Sequence, residues 1–145
     1  MSEIRIDAPA EVVFAAFTDL SKTAARLSGV SAIEILAQRP EGVGTRWRET
    51  RMVFGAPVHQ IMTVEEVDPP HAFTVRADNN GVICDTRFAF TPDGAGSRVL
   101  ATFSVAPATF AAMFFTPALF MVASVAKTVL DRDLADMKRA IEAGQ

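Results

Sequence analysis

The stretch that decides the fold is residues 72–106, AFTVRADNNGVICDTRFAFTPDGAGSRVLATFSVA, in which polar and apolar side chains alternate. Alternation with a period of two is typical of strands with one buried face, so it predicts strands at Ala72–Asp78, Val82–Thr91 and Arg98–Ala106. The turns between them are Asn79-Asn80-Gly81 and Asp93-Gly94-Ala95-Gly96. Glycine and asparagine in such short turns are typical of hairpins, so the stretch predicts an antiparallel meander.

The same alternation extends upstream and predicts further strands at Ala32–Gln38, Thr45–Phe54 and Val58–Val67. Another strand at Ser2–Asp7 opens the chain, which makes about seven strands in all. Both faces of Val58–Val67 are mixed, so the sequence leaves open which face of that strand points inward.

Two short helices are predicted after the first strand. Pro9 and Glu11 suit the first turn of a helix, because proline needs no backbone donor there and an acid favours the positive helix end. Asp19 suits the cap of a second helix that ends near Leu27.

One long amphipathic helix is predicted at the C-terminal end. From Leu119 to Ile141 apolar residues recur every three or four positions. Pro117 predicts either a kink or a separate short helix before the long one, since proline removes a backbone hydrogen bond. A curved sheet with one polar face must bury the other, and this helix is its obvious cover. We therefore expect an α+β fold in a single domain that spans residues 1–145, because no linker or repeat divides the chain.

Five local motifs in this order resemble the START-like, or SRPBCC, superfamily, and within it the polyketide cyclase/dehydrase-like group. The motifs are Ile6-Asp7-Ala8-Pro9-Ala10-Glu11-Val12-Val13-Phe14, Gly42-Val43-Gly44-Thr45-Arg46-Trp47, Val67-Asp68-Pro69-Pro70, Phe90-Thr91-Pro92-Asp93-Gly94 and Leu134-Ala135-Asp136-Met137-Lys138. The resemblance implies a helix-grip fold, with a curved antiparallel sheet wrapped around the C-terminal helix and a ligand cavity between them. It implies little about chemistry, because the matching residues are turns and helix starts.

Composition narrows the classes of function. The formal net charge is −3 and no basic run occurs, which argues against nucleic acid as a partner. Two histidines and one cysteine lack the ligand spacing of a metal site, and no cofactor is predicted. One cysteine excludes an internal disulfide and the first residues do not resemble a signal peptide, so we expect a cytoplasmic location.

The inner face of the sheet is assigned by turning the largest number of charged residues outward. This choice turns Arg48, Arg76 and Arg87 to the outside. The candidate ligand-binding residues are then Trp47, Glu49, Arg51, Phe73, Val75, Cys84, Thr86, Phe88 and Phe103, joined by Phe110, Met113, Phe114 and Met121 from the segment after the last strand.

Glu49 is the candidate catalytic residue. A carboxylate in an apolar wall can act as a general acid or base, or can hold a ligand's polar head. The alternative is that Glu49 lies near the strand end, or pairs with Arg51, and does no chemistry. Arg51 suits bidentate binding of a ligand carboxylate, with a solvated strand end as its alternative. A surface or edge position is favoured for His59, because no second histidine or acidic partner stands at a telling spacing, and a role as a second base is its alternative.

The segment Val99–Ala126 contains no charged residue, and its centre at Phe110–Met121 is rich in phenylalanine and methionine. Alternation in its first part and two prolines in the rest argue against a membrane span. Core and cavity lining is one interpretation, and a mobile gate or a homodimer interface through Phe110–Met121 is the other.

The leading functional hypothesis is binding of a small, mostly apolar molecule, such as a lipid or a polyketide-like or aromatic metabolite, between sheet and helix. One alternative is a cyclase- or dehydratase-type enzyme in which Glu49 moves a proton. Another is a regulatory module that binds a protein. Whether the chain is an enzyme stays open at this point.

Overall fold

The sheet forms as the alternation predicts. The computed structural model describes residues 1–53, 55–79, 82–107 and 116–145, with the side chains of residues 79, 106, 107 and 116–123 left undescribed. Within these residues the strands are β1 (Ser2–Ile6), β2 (Val30–Ala37), β3 (Arg46–Val53), β4 (Ala56–Asp68), β5 (Ala72–Asn79), β6 (Val82–Asp93) and β7 (Gly96–Pro107). They form one sheet in the order β1-β7-β6-β5-β4-β3-β2, and every neighbouring pair is antiparallel.

The short helices follow the first strand. They are α1 (Ala10–Thr18) and α2 (Thr23–Arg26), joined by a 3₁₀ turn at Leu20–Lys22. The carboxylate of Asp19 accepts a hydrogen bond from the Ser21 backbone N–H at 3.1 Å, so Asp19 caps the turn as its residue type predicts.

The long helix α3 spans Thr116–Glu142. Pro117 therefore lies in its first turn, where no backbone donor is needed, and not at a kink within the helix. A short helix before it would fall in residues 108–115, outside the described residues. No helix in the described ranges is long and apolar enough to cross a membrane.

Helix α3 covers the concave face of the curved sheet and completes the helix-grip fold. Its apolar stripe is buried and joins the core residues of the sheet and α1. The stripe consists of Leu130, Leu134, Met137 and Ile141. Helix α1 adds Phe14 and Phe17, whose rings pack edge-on or tilted against Phe73, Phe88 and Phe90. This aromatic cluster fixes α1 on the sheet.

Polar contacts fix the C-terminal half of α3. The carboxylate of Asp136 accepts hydrogen bonds from the backbone N–H and the hydroxyl of Ser28 at 2.9 and 2.7 Å. Burial alone would raise the pKa of Asp136, but the hydrogen bonds from Ser28 and Arg139 outweigh it and hold the pKa below its usual value. Near the C-terminal end, Glu142 accepts from the Asp7 backbone N–H at 2.8 Å. The helix is thus attached next to both edge strands of the sheet, to Ser28 before β2 and to Asp7 after β1.

Candidate functional site

A cavity of about 770 Å³ lies between the inner face of the sheet and the helices. Its described walls come from β3 to β7 of the sheet, from α1 and α2, and from the residues around Leu130 on α3. Most of these side chains are apolar. The described lining is completed by residues 38–42 and Thr45 between β2 and β3, by Pro69 between β4 and β5, and by Leu20 and Leu27 beside the short helices.

The structure brings most of the sequence-predicted site residues to this cavity. Nine of them line it, namely Trp47, Glu49, Arg51, Phe73, Val75, Cys84, Thr86, Phe88 and Phe103. Phe110, Met113 and Phe114 lie outside the described residues, and the side chain of Met121 is among those left undescribed. The part that any of these residues plays in binding remains a prediction.

Strand β4 shows the face that the sequence left open. Val58, Gln60, Met62 and Val64 line the cavity, so its even-numbered side chains point inward. A register shift between Val64 and Glu66 then changes the alternation, and the odd-numbered Val67 lines the cavity instead. The shift accounts for the change of face at Glu66 and Val67, whereas Gln60 on the inner face and Ile61 on the outer face interrupt the pattern before it.

A charged cluster of Glu49, Arg51 and Asp133 interrupts the apolar wall. The Arg51 Nε–H donates to Glu49 Oε2 at 2.7 Å, and its two terminal nitrogens donate to Asp133 Oδ1 and Oδ2 at 3.1 and 2.7 Å. The cluster therefore ties β3 to α3 across the cavity wall. Glu49 is only 6 % exposed, and Trp47 Nε1 lies 3.5 Å from its other oxygen.

Burial and charge act in opposite directions on this cluster. Burial raises the pKa of Asp133, and the nearby Glu49 and Asp136 carboxylates add to that effect, so the pKa stays raised despite the hydrogen bonds from Arg51. Burial alone would lower the pKa of Arg51, but the hydrogen bond to Asp133 and the negative charges of Glu49 and Asp133 raise it on balance. Arg51 therefore remains a cation held between two carboxylates.

The structure bears on two interpretations that the sequence left open, and for His59 it agrees with the surface position. Asp133 occupies the two terminal nitrogens of Arg51, so Arg51 does not offer a vacant fork for bidentate binding of a ligand carboxylate. His59 lies on the outer face of β4, where it is exposed and bonded through Nδ1 to the Thr50 hydroxyl at 2.9 Å. Because it faces away from Glu49, His59 cannot act with Glu49 on one substrate in the cavity.

Sequence reasoning missed Asp133, Gln60 and Arg26, which also line the cavity. A signal for Asp133 was present, because it lies three residues after Leu130 and four before Met137, inside the apolar stripe of the helix. Gln60 depended on the choice of face on β4, which the sequence left open. No signal distinguished Arg26 from any other charged residue near a helix end. Within the described ranges, no group of three or more His, Cys, Asp or Glu side chains could hold a metal ion.

The chain resembles known proteins along its whole length. The family model described as polyketide cyclase / dehydrase and lipid transport matches residues 2–142. The structure of TTHA0849 from Thermus thermophilus is 21 % identical with a TM-score of 0.80, and the alignment covers 99 % of this chain and 97 % of that one. The ZhuI aromatase/cyclase from Streptomyces sp. R1128 is 18 % identical, with a TM-score of 0.76 and coverage of 97 % and 91 %.

A third structure, Ara h 8.0201, is 14 % identical, with a TM-score of 0.77 and coverage of 98 % of this chain and 95 % of that one. At such low identities these likenesses establish a common fold and no shared ligand. No curated protein matches the chain at a significant level of sequence similarity.

Proposed function

The chain belongs to the family described as polyketide cyclase / dehydrase and lipid transport, and we propose that it binds one small, mostly apolar molecule in the cavity between sheet and helix. The molecule belongs to the lipid, polyketide-like or aromatic class. The observation that carries the proposal is the cavity itself, with about 770 Å³ of space inside mostly apolar walls. Pockets for small molecules commonly have volumes of about 300–1,000 Å³ and few polar groups, so this one has a suitable size and lining.

The charged cluster supports an oriented ligand. A buried carboxylate such as Glu49 is the kind of precisely placed polar group that fixes one end of an otherwise apolar molecule. The aromatic side chains of Phe73 and Phe88, which also line the cavity, offer stacking surfaces for a ring or a chain. The ligand is then expected to direct its polar end toward Glu49.

A second candidate function is a cyclase- or dehydratase-type reaction. Two observations favour it: polar groups converge on the cavity wall at Glu49 and Asp133, and the similar protein ZhuI is named an aromatase/cyclase. In that case Glu49 would transfer a proton as a general acid or base, without His59. The third hypothesis, a protein-interaction module with a filled core, receives less support because the core encloses space.

Native mass spectrometry of the purified protein tests the binding proposal. We expect a small molecule to co-purify with the protein and to be extractable with organic solvent. A variant whose cavity is filled should not carry this molecule. The variant Thr86→Trp fills the space from the inner face of β6, and Arg87→Trp adds the same side chain on the outer face as a matched control. Thr86→Trp should lose the bound mass, whereas Arg87→Trp should keep it.

If the wild-type protein carries no bound mass and also fails to bind Nile red, a neutral apolar dye, the proposal is wrong. The second candidate function is favoured if the wild-type protein converts added polyketide-like substrates to products and a Glu49 variant does not.

A cytoplasmic location is part of the proposal, in keeping with the single cysteine, and cell fractionation measures it directly.

A further inference from the structure

The balance of charge in the cavity wall carries information about the ligand. Glu49 and Asp133 contribute two carboxylates, and Arg51 contributes one guanidinium, so the cluster has a formal surplus of one negative charge. The raised pKa of Asp133, caused by burial and then by the neighbouring carboxylates, is consistent with that surplus. A bound anion would add a like charge at this wall.

The cluster also has more unused hydrogen-bond acceptor positions than unused donors. Three of the five N–H donors of Arg51 are already used on Glu49 and Asp133, which leaves two. Each carboxylate oxygen can accept about two hydrogen bonds, and the contacts of the described residues fill only one position on each. Glu49 Oε1 has the weakest contact, since its donor, Trp47 Nε1, is 3.5 Å away. The wall therefore has acceptor capacity to spare.

Gln60 extends the polar patch across the sheet. It lies directly opposite Glu49 in the β3–β4 register, on the same inward face. Side chains opposite each other on neighbouring strands have Cβ atoms about 4.5–5.5 Å apart, so one small polar group can reach both. The Gln60 amide can accept from or donate to such a group, whereas Glu49 can only accept.

We infer that the ligand's polar end is a hydrogen-bond donor without negative charge, a hydroxyl or an ammonium group, that binds to Glu49 beside Gln60. This inference rests on the proposed function and names the class of ligand for the same cavity. Free fatty acids and other amphiphiles with a carboxylate or phosphate head are disfavoured, because Arg51 is neutralised by two carboxylates before such a ligand arrives.

The other cations in the described lining do not reverse this preference, because Arg39 is exposed beside the exposed Glu41 and only Arg26 is half-buried. Arg26 donates through its terminal nitrogens to the carbonyl oxygens of Ala16 and Gln145 at 3.0 and 2.8 Å. Of its three side-chain nitrogens, only Nε has no partner among the described residues, while each terminal nitrogen uses one of its two N–H groups. Because both terminal nitrogens are held by backbone oxygens, Arg26 suits a neutral acceptor farther along the ligand, such as a ketone, and does not offer an unoccupied pair of terminal nitrogens to a carboxylate.

Three ligands with one apolar chain and different heads test the inference: 1-decanol, decylamine and decanoate at neutral pH. Binding is followed by calorimetry and by the fluorescence of Trp47, the only tryptophan, which lines the cavity. We expect 1-decanol and decylammonium to bind about tenfold or more tightly than decanoate, because a like charge at a partly buried site is strongly repelled. Glu49→Gln should reduce the ratio of the decylammonium affinity to the decanoate affinity by about tenfold.

The matched control is Glu34→Gln, the same substitution on an exposed residue that pairs with Arg48 on the outer face. This control should leave the ratio of decylammonium to decanoate affinity unchanged. Decanoate binding as tightly as 1-decanol would overturn the inference while leaving the proposed function intact. An unchanged ratio in Glu49→Gln would also overturn it. If none of the three ligands binds, the proposed function and the inference fail together.

Discussion

At the scale of single residues, Arg51 joins two elements of the cavity wall through ion pairs with two carboxylates. Its guanidinium satisfies Glu49 on its own strand and Asp133 on α3, and all three side chains are at most 15 % exposed. Buried ion pairs rarely add much net stability, because removing charges from water offsets their attraction. Removing one partner is a different matter, since the remaining charges stay buried without compensation.

Arg51→Met should therefore lower the free energy of unfolding by about 3–5 kcal/mol, because it leaves two buried carboxylates without a counter-charge. Urea denaturation at neutral pH measures the loss. Arg48→Met is the matched control, since Arg48 pairs with Glu34 on the exposed outer face and should cost about 1 kcal/mol or less. Equal losses in the two variants would contradict the role assigned to the cluster.

The same cluster shows how far the sequence determines the site. Alternation alone predicts Glu49 on the cavity wall, once Arg48 is assigned to the outer face. Asp133 could not be reached in this way, because it is 82 residues from Arg51 in the chain and only the packing of α3 on the sheet joins them. Long-range pairs of this kind depend on tertiary geometry that periodicity does not encode.

At the scale of elements, local signals predicted the strands well and their register less well. Hairpin turns and alternation are properties of neighbouring residues, and the seven strands follow them closely. The shift in β4 between Val64 and Glu66 is the exception. A bulge is set by how two strands pair, so a single strand's sequence shows it only as a mixture of polar and apolar residues on both faces.

The turn between β2 and β3 offers a sharp test of packing on an element. Gly42 and Gly44 both have φ of +88°, so alanine at either position suffers the same left-handed strain, about 1–2 kcal/mol. A Cβ atom on Gly42 would lie 2.9 Å from Val67 Cγ2, whereas one on Gly44 meets only ordinary contacts at 3.5 Å or more. Gly42→Ala should consequently destabilise the protein by about 1 kcal/mol more than Gly44→Ala.

Chemical denaturation of the two variants measures this difference. Val67→Ala removes the clashing methyl groups, so in a double-mutant cycle it should recover most of the additional loss in Gly42→Ala and none of the loss in Gly44→Ala. Two variants of equal stability would show that the β2–β3 turn moves freely away from β4.

At the scale of the whole molecule, half of the residues are hydrophobic, and the fold accounts for many of them in the core and the cavity wall. The sequence predicted this container because sheet and helix must cover each other's apolar faces. The sequence could not identify the ligand, because the polar groups that select a ligand come from separate elements. One apolar stretch, Phe110–Met121, falls entirely outside the described side chains.

Plotted on a helix, the sequence of that stretch, FAAMFFTPALFM, would place large apolar residues at nearly every angle, so a single covered face could not bury them all. We therefore predict a homodimer in which two copies cover each other along Phe110–Met121, since an exposed patch of this kind would lower the solubility of a monomer. Light scattering across a concentration series should give twice the monomer mass for the wild type. The double variant Phe115→Ser/Phe120→Ser should give the monomer mass, and Val12→Ser, at an exposed apolar position on α1, should stay dimeric. A wild-type protein that is monomeric at every concentration would contradict the prediction, and the stretch would then have to be covered within one chain.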